Sequence, residues 1–373
     1  MNAGSRRFLA LCRKEFRQML RDRSNLVVGL LLPFILILLF GYGLSFDVNN
    51  APVAIVMEDD SPAAREILSG LAGSPYLAPI WLKDMREAEQ RMRAGDVCAI
   101  VRVPHDFSRR LAVGEGQIQL ILNGVDSNTA SAVEGYISGA ILVAFARQED
   151  RAGKQGGRSL VQVEQRMWFN EASSSSWYLV PGLIVLVMTL IGAFLTSLLI
   201  AREWERGTLE SLFVTPVSAM EIVLAKLAPY LVIGMIDLML CLLAAKLLFQ
   251  IPMRGSLWAI VFASFLYLSV SLALGLFISG KTKNQFQASQ LAMLTSFMPA
   301  MMLSGFIFDL RNVPLAVQII SQLVPATHFI GLIKTLFLAG DNWSMFAQKC
   351  AILALYALVL ILAARRTLRK TLD

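Results

Sequence analysis

Cysteine and charge are both scarce in this chain. Only four cysteines occur among its 373 residues, and they lie far apart, so the sequence shows neither a disulfide framework nor the paired spacing of a metal site. Charged residues make up 16% of the chain, whereas soluble globular proteins carry about 25%. The composition therefore argues against a protein made of two soluble domains.

A basic domain is missing as well, although the formal net charge is +7. Residues 1–46 carry seven Lys and Arg against two acids, residues 47–176 carry thirteen against seventeen, and residues 177–373 carry fourteen against eight. Positive charge is thus spread over both ends of the chain and forms no concentrated patch for nucleic acid. We expect no nucleic acid among the partners of this protein.

Long apolar runs are abundant, and hydrophobic residues make up 56% of the chain. A helix of about 20 apolar residues is long enough to cross a bilayer. Six runs predict transmembrane helices, at 26–46, 178–200, 222–249, 257–278, 288–308 and 346–363. The first run is too long for a secretory signal and no cleavage site follows it, so we expect it to remain as an anchor.

Lys and Arg flank the predicted spans mainly on one side. With six spans, the basic residues before the first span, between the fourth and fifth, and after the last all share that side. The positive-inside rule makes that side the cytoplasm, with both termini inside. Residues 47–176 and the apolar hairpin at 309–340 then face outward, and the loop at 201–221 faces the cytoplasm.

The first 25 residues combine seven basic side chains with apolar ones at helical spacing. This pattern predicts an amphipathic helix that lies on the cytoplasmic membrane surface, in contact with lipid. A solvated basic tail is the alternative.

The segment 47–176 alternates short β-rich runs with helical runs, which predicts an outward-facing α/β domain inserted between the first two spans. The predicted strands lie at 53–57, 97–103 and 118–122, and the predicted helices at 63–71, 84–94, 106–113 and 130–147. The expected fold class is therefore a membrane all-α protein of six transmembrane helices with an inserted extracytoplasmic α/β domain.

Catalytic signals are weak in this domain. The acids Glu58, Asp59 and Asp60 follow a strand, where ligands often bind, but a solvated turn that caps the next helix explains them equally well. His105 stands beside Asp106, yet adjacent residues on a helix point in different directions. We expect no catalytic and no metal-binding residue here, and a partner-binding or gating role instead.

Residues 275–282 match the P-loop pattern G-x-x-x-x-G-K-T letter for letter. A P-loop needs a preceding strand and a following helix in aqueous surroundings. Here the first half of the match closes an apolar run, and the chain returns to the membrane a few residues later. We interpret the match as the end of a span, with Lys281 and Lys283 reaching toward the surface.

The loop at 201–221 is acidic, although the positive-inside rule favours basic residues there. Residues 202–216 read REWERGTLESLFVTP. From Thr208 onward, Leu209, Leu212 and Phe213 fall on one face of a short helix that ends before Pro216. The pattern predicts a small docking helix between two spans, and a plain solvated loop is the alternative.

This stretch resembles the coupling loop of permease subunits in the type-two family of ABC transporters, which reads E-R-G-T-x-E-x-L-x-x-T-P. The matching residues are Glu205, Arg206, Gly207, Thr208, Glu210, Leu212, Thr215 and Pro216. Other segments resemble the family in the same order, at 103–111, 126–136, 180–182, 304–308 and 325–338. The chain departs from the family pattern at Glu171, Ala225 and Asp309, which leaves the choice of substrate and partner open.

The resemblance implies a half-transporter that pairs with an identical or similar permease and with two separate ATP-binding cassette subunits. Those subunits would use ATP and Mg, while this chain would bind no cofactor and would not itself be an enzyme. The charged residues Glu203, Glu205, Arg206 and Glu210 would dock on the ATPases. Relatives with a large outer domain resemble bacterial exporters of drugs or lipid-like compounds that work with a periplasmic adaptor.

Two features inside the predicted spans are candidates for the transport pathway. Asp237 lies near the middle of the third span, where a charge is costly and usually faces a cavity or a partner. Met298, Met301 and Met302 suit an adaptable apolar wall. The alternatives are a hydrogen-bonded or protonated acid at a helix contact and ordinary core packing.

We therefore expect the permease subunit of an ATP-driven exporter of a hydrophobic or amphipathic compound. Two other classes share parts of the pattern. An envelope structural or receptor protein with the same spans would have no ATPase partner. A membrane-anchored enzyme would act through the outer domain.

Overall fold

A computed structural model of the chain describes residues 3–43, 50–113, 116–124, 127–151, 174–209, 217–307 and 313–368, together with residue 310. The described part is mostly helical and contains one small mixed sheet. Two compact units divide the chain. One comprises Met1–Ser45 with Met167–Asp373, and the other comprises Phe46–Arg166. We call them the helical unit and the α/β unit.

The elements follow one another in a simple order. The first half of the chain contains α1 (Ala3–Arg21), α2 (Arg23–Gly43), β1 (Ala51–Met57), α3 (Pro62–Ala72), β2 (Leu77–Leu82), α4 (Met85–Ala94), β3 (Ala99–Val103), α5 (Phe107–Val113), β4 (Gln119–Leu122) and α6 (Ser127–Arg151). The second half contains α7 (Ser175–Glu205), α8 (Ala219–Leu247), α9 (Leu257–Thr282), α10 (Gln285–Ala292), a π-helix (Met293–Phe297), α11 (Met298–Leu303), α12 (Leu315–Gln322), α13 (Pro325–Leu338) and α14 (Trp343–Thr367).

Four described helices, α7, α8, α9 and α14, are long and apolar enough to cross a membrane. The pair α12 and α13 passes the same test together, but it is bent by 87° at its break, so it is either a broken span or a re-entrant loop. The predicted first span falls on α2, whose apolar part, Val27–Gly43, is shorter. Length and composition thus support four or five spans.

The predicted fifth span, 288–308, is interrupted. It contains α10, the π-helix and α11 in direct succession. Pro299 lies at the start of α11, lacks a backbone N–H and crowds the carbonyl four residues earlier, which lies in the π-helix. The wider π turn accommodates the proline.

Contacts among the described residues join segments of the helical unit at each of its two ends. Asp22, before α2, pairs with Arg202 at the end of α7, while Gly41 near the end of α2 packs against Phe249 beyond the end of α8. The segment formed by α10, the π-helix and α11, which we call the broken fifth segment, also contacts α7 at both ends. Gln285 contacts the end of α7, and the Gly305 carbonyl accepts a hydrogen bond from Tyr178 near the start of α7. We call the end of the helical unit at which α7 ends and α8 begins the α7–α8 end, and we call the other one the opposite end.

Helix α9 packs against α7 through small residues. A side chain at Gly275 would collide with Ala193 and Thr196, and Thr196 Oγ1 donates a hydrogen bond to the Leu272 carbonyl at 2.9 Å. Close approach of this kind is typical of helix pairs in membranes. Residues 275–282 are helical throughout, so the letters of the P-loop pattern do not have the P-loop conformation, and Gly275 serves helix packing.

The α/β unit contains a four-stranded sheet of order β2-β1-β3-β4. Strand β1 is parallel to β2 and β3, and β4 is antiparallel to β3. Alternating residues of β1 point to opposite faces: Ile55 packs with residues of α3 and α6, and Ala54 packs with Ala88 of α4. The two hydrophobic faces are therefore each covered by helices, as the sequence pattern predicts for an α/β domain.

The strands and helices predicted in this unit all occur, with ends shifted by a few residues. The strand β2 was not predicted. It contains Pro79 and lies at the edge of the sheet, where a residue without a backbone N–H is tolerated. Its side chains are mostly partly exposed and show no alternation of apolar and polar residues, and Pro79 argues against a strand.

Candidate functional site

The family motif begins where α7 ends. Helix α7 continues through Glu205, so the first five residues of the predicted loop at 201–221 are its last turn. Gly207 has φ +66°, and its N–H donates to the Trp204 carbonyl at 3.0 Å. The Thr208 N–H donates to the Glu203 carbonyl at 3.0 Å. This is a Schellman cap, which satisfies the last carbonyls of the helix and requires the left-handed conformation that glycine adopts most easily.

The exposed side of this turn is tied to the link between α9 and α10. Glu205 Oε1 accepts a hydrogen bond from the Gln285 backbone N–H at 2.8 Å, and its other oxygen contacts the Gln285 amide. Lys283 Nζ lies 3.9 Å from the centre of the Trp204 ring, a cation–π contact. Glu205 and Arg206 themselves remain exposed. The turn is therefore held in place and still accessible.

Glu203 has a different environment from its neighbours. Its carboxylate lies 2.8 Å from Lys226 Nζ on α8 and 3.4 Å from Lys14 Nζ on α1. The side chain is 6% exposed. The predicted docking residue Glu203 therefore faces the interior of the helical unit, and Lys226 and Lys14 were not recognised from the sequence as its partners.

The remaining motif residues, Glu210, Leu212, Thr215 and Pro216, lie outside the described residues. The residues on either side of them make specific contacts. Leu209 is buried in the core of the helical unit. Helix α8 starts with a capping box, in which Ser218 accepts from the Glu221 N–H and Glu221 accepts from the Ser218 N–H. Both stems of the loop are thus anchored.

The pathway candidates occupy different environments. Asp237 is 1% exposed, and neither of its carboxylate oxygens has a hydrogen-bond partner among the described residues. Met298 and Met302 are exposed on α11, whereas Met301 packs against the core of the helical unit. The structure therefore does not bring the acid and the methionines together in one described cavity.

Three segments noted for their resemblance to the family meet at the opposite end. Gly182 of α7 packs directly against the ring of Phe306, so a larger residue would collide with it. Lys334 of α13 donates to the Gly305 carbonyl at 3.0 Å and lies 3.4 Å from the centre of the Tyr178 ring. The start of α7, the chain after α11 and helix α13 are thus joined.

The acids of the α/β unit are accounted for by local structure. Glu58 pairs with Arg102 at 2.8 Å, and this hydrogen bond lowers the pKa of Glu58. Asp59 accepts from the Ser108 side chain and backbone N–H, which lowers the pKa of Asp59. Asp60 pairs with Arg65. Within the described residues no group of His, Cys, Asp and Glu could hold a metal ion.

Apolar helices of this length, joined by polar turns at both ends, define a multi-pass membrane protein. A family model described as "ABC-2 family transporter protein" matches residues 23–366. The chain therefore belongs to the ABC-2 family of transporter proteins, and the resemblance seen in the sequence is confirmed.

Curated relatives also match most of the chain. The probable multidrug ABC transporter permease YbhS of Escherichia coli (strain K12) is 39% identical over 339 residues, which cover 90% of this chain and 89% of that protein. The probable multidrug ABC transporter permease YbhR of the same strain is 30% identical over 334 residues, 89% of this chain and 90% of the relative. The inner membrane transport permease YhhJ, also of that strain, is 26% identical over 374 residues, 95% and 96% respectively.

Proposed function

We propose that this chain is the permease subunit of an ATP-driven exporter that moves a hydrophobic or amphipathic compound, drug-like or lipid-like, across the bacterial inner membrane. Separate ATP-binding cassette subunits hydrolyse the ATP. The observation that carries the proposal is the turn at 205–208, which matches the family's coupling loop, is fixed by a Schellman cap and remains accessible. The multidrug permeases among the relatives support the class of cargo.

The proposed membrane topology has six crossings with both termini in the cytoplasm. It is supported by the contacts that join segments of the helical unit at each of its two ends. The basic residues of α1, Lys281 and Lys283 belong to the α7–α8 end, and Arg365 and Arg366 close α14 there, where Thr367 packs against Gly280. Because Lys and Arg favour the cytoplasmic side, this end faces the cytoplasm in the proposal.

The α7–α8 loop is the proposed docking site of the ATPase subunits. Glu205 and Arg206 offer exposed charges of both signs beside the exposed ring of Trp204. Thr208, Glu210, Leu212, Thr215 and Pro216 continue the surface in this proposal. Nucleotide-driven closure of the ATPases would push on this loop, and the capped end of α7 would pass the displacement into the helical unit.

A second permease, identical or homologous, is the proposed cover for the broken fifth segment. The exposed side chains of α2 at 27–43 and of α14 at 351–362 are all apolar or aromatic, as expected for contact with lipid. The fifth segment instead exposes Gln290 and Thr295 together with Met298 and Met302. Polar groups in this position are favoured where they face protein or an aqueous pathway.

Asp237 remains a pathway candidate on separate grounds, since an acid buried without a hydrogen-bond partner is costly in a membrane helix. In the proposal it is reached when the helices rearrange during transport. The α/β unit faces the periplasm and contacts an adaptor protein there.

The test is ATP hydrolysis by the assembled complex in lipid nanodiscs, with and without a panel of amphipathic dyes. We expect Glu205→Ala to lower dye stimulation at least about tenfold, which is within the usual range of coupling energies, because the turn loses its bond to Gln285 and a docking charge. Glu89→Ala, an exposed glutamate on α4 of the α/β unit, is the matched control and should leave the stimulation unchanged.

Membrane insertion and the amount of copurified ATPase are measured for each variant. Full stimulation in Glu205→Ala would refute the coupling role of this turn. If no ATPase copurifies with the wild-type chain from mild detergent, the chain is better explained as an envelope structural or receptor protein.

A further inference from the structure

Four charged side chains meet where α1, α7 and α8 come together. Lys226 Nζ lies 2.8 Å from Glu203 Oε2 and 3.4 Å from Glu15 Oε1. Lys14 Nζ lies 3.0 Å from Glu15 Oε1 and 3.4 Å from Glu203 Oε1. Each lysine therefore contacts both glutamates, and the cluster has no net charge. We call these residues the four-charge cluster.

The cluster is largely removed from solvent. The side chains of Lys226, Glu203 and Glu15 are 2%, 6% and 6% exposed, and that of Lys14 is 45% exposed. Burial alone would lower the pKa of Lys14, but the carboxylates of Glu15 and Glu203 raise it above its ordinary value. The Lys14 ammonium group therefore keeps its charge near neutral pH.

A buried cluster of this kind is a poor source of stability, because the cost of removing charges from water offsets much of their attraction. Apolar side chains of similar size would hold the three helices together at least as well. Its distinctive property is geometric, since a buried charge must keep its partner and therefore fixes the relative positions of the helices that carry the pair.

The cluster lies immediately beside the α7–α8 loop. Glu203 is two residues before Glu205 in the last turn of α7, and Lys226 is in the second turn of α8. Their contact joins the two stems of the loop. Glu15 then connects these stems to α1, and Asp22 makes a second link from the end of α1 to Arg202 at 2.6 Å. Glu15 lies within α1, and Asp22 directly follows the last residue of that helix.

The arrangement also accounts for part of the unexpected acidity of the loop. Glu203 balances a lysine within the same unit, so it is not available to a docking subunit. The sequence signal for the cluster was weak. Glu15 was one of two acids among seven basic residues, and Lys226 lay near the start of an apolar run.

We propose that Glu15, Glu203 and Lys226 are positioning residues for ATPase coupling: they tie the surface helix α1 to both stems of the α7–α8 loop, so that α1 and the loop move as one body. This inference rests on the proposed coupling function of the loop. It extends that function to α1, which contributes through an internal ionic contact in addition to any contact of its own with a partner.

The test uses a variant that keeps the cluster neutral. Glu15→Gln with Lys14→Gln removes one charge of each sign and leaves the Glu203–Lys226 contact intact. The matched control is Glu87→Gln with Arg91→Gln, which removes an exposed 2.8 Å pair from α4 of the α/β unit. The readout is the rate of ATP hydrolysis per copurified ATPase subunit in nanodiscs, divided by the rate of the ATPase subunit alone. We call this ratio the stimulation.

We expect the Glu15/Lys14 variant to assemble in normal amounts and to lose about tenfold of this stimulation, while the KM for ATP stays the same. A purely structural role would reduce the yield of complex without changing the rate per complex. Glu15→Asp, which keeps the charge, should restore a substantial part of the stimulation when Lys14 is native.

Three outcomes count against the inference. Stimulation within about twofold of wild type in the assembled variant would overturn the positioning role, because coupling effects are usually larger. An equal loss in the α4 control would show a general effect of charge removal and would overturn it as well. A wild-type complex without stimulation would refute the proposed function, and the positioning role with it.

Discussion

The two units of this protein use ion pairs in different ways. In the helical unit, buried or partly buried pairs join residues far apart in the sequence, such as Lys226 with Glu15 and Arg202 with Asp22. In the α/β unit, most pairs are exposed and local, such as Arg65 with Asp60, whose side chains are 62% and 66% exposed. Charge in the helical unit fixes the relative positions of helices, whereas charge in the α/β unit mainly serves caps and solvated surfaces.

The largest expected effect comes from removing one member of a buried pair. Lys226→Met leaves Glu203 and Glu15 buried with only Lys14 to balance them, and it should lower the free energy of unfolding by about 3–5 kcal/mol. Thermal unfolding of the purified chain in detergent measures the loss. Arg65→Met, which breaks an exposed pair of the α/β unit, should leave the midpoint unchanged.

A second variant separates charge imbalance from lost packing. Lys226→Met combined with Glu203→Gln leaves one lysine and one glutamate in the cluster, so it should be more stable than Lys226→Met alone. If the double variant were no better, or if Arg65→Met were equally harmful, the contrast between the two units would be wrong.

A smaller effect is expected from acidifying the α/β unit. The folded pKa values of Glu58 and Asp59 lie below the ordinary values of 4.5 and 3.8. Such groups stabilise the fold above their unfolded pKa values, and this contribution is lost as pH falls through the lower folded values. The stabilisation should therefore be constant near neutrality and disappear as the pH falls below about 4.5, the ordinary pKa of Glu58.

Asp59→Asn tests this contribution in the full chain. It replaces the carboxylate that accepts from Ser108 by a neutral amide, so it should lower the free energy of unfolding near neutral pH. The variant should then lose less of this free energy as the solution is acidified below the ordinary pKa of Asp59. Asp96→Asn, at an exposed acid of the same unit, should leave both unchanged. An unaltered pH profile in Asp59→Asn would show that this acid does not contribute to acid sensitivity.

Much of the fold could be predicted because the relevant signals are local. Apolar runs located the long helices, and short β-rich runs located three of the four strands. Two features depended on information beyond local pattern. Strand β2 is an edge strand with Pro79, and the π-helix arises from the effect of Pro299 on the preceding turn.

The candidate site was predictable only in part. The motif at 205–208 was found by resemblance, but its Schellman geometry depends on the conformation of Gly207 and could not be read from the letters. The contacts of Glu203 were missed because they join residues 23 and 189 positions away in the sequence. Such pairs become visible only when the helices are packed. The positions of Glu210, Leu212, Thr215 and Pro216 in the docking surface stay predictions.

The central claim is that the capped turn after α7 passes ATPase movement into the permease, and a pair of glycine variants tests it most directly. Gly207 has φ +66° and Gly95, which caps α4 of the α/β unit, has φ +84°. A Cβ added at either glycine would have no described neighbour within 4 Å, so alanine fits both sites and differs from glycine mainly in backbone strain.

Alanine in the left-handed conformation costs roughly 1–2 kcal/mol, so both variants should lose similar stability. The decisive measurement is the ATP hydrolysis rate per assembled complex in nanodiscs. We predict that Gly207→Ala loses most of the permease-dependent stimulation while Gly95→Ala retains it. Equal stimulation in the two assembled variants would contradict the coupling role of the turn.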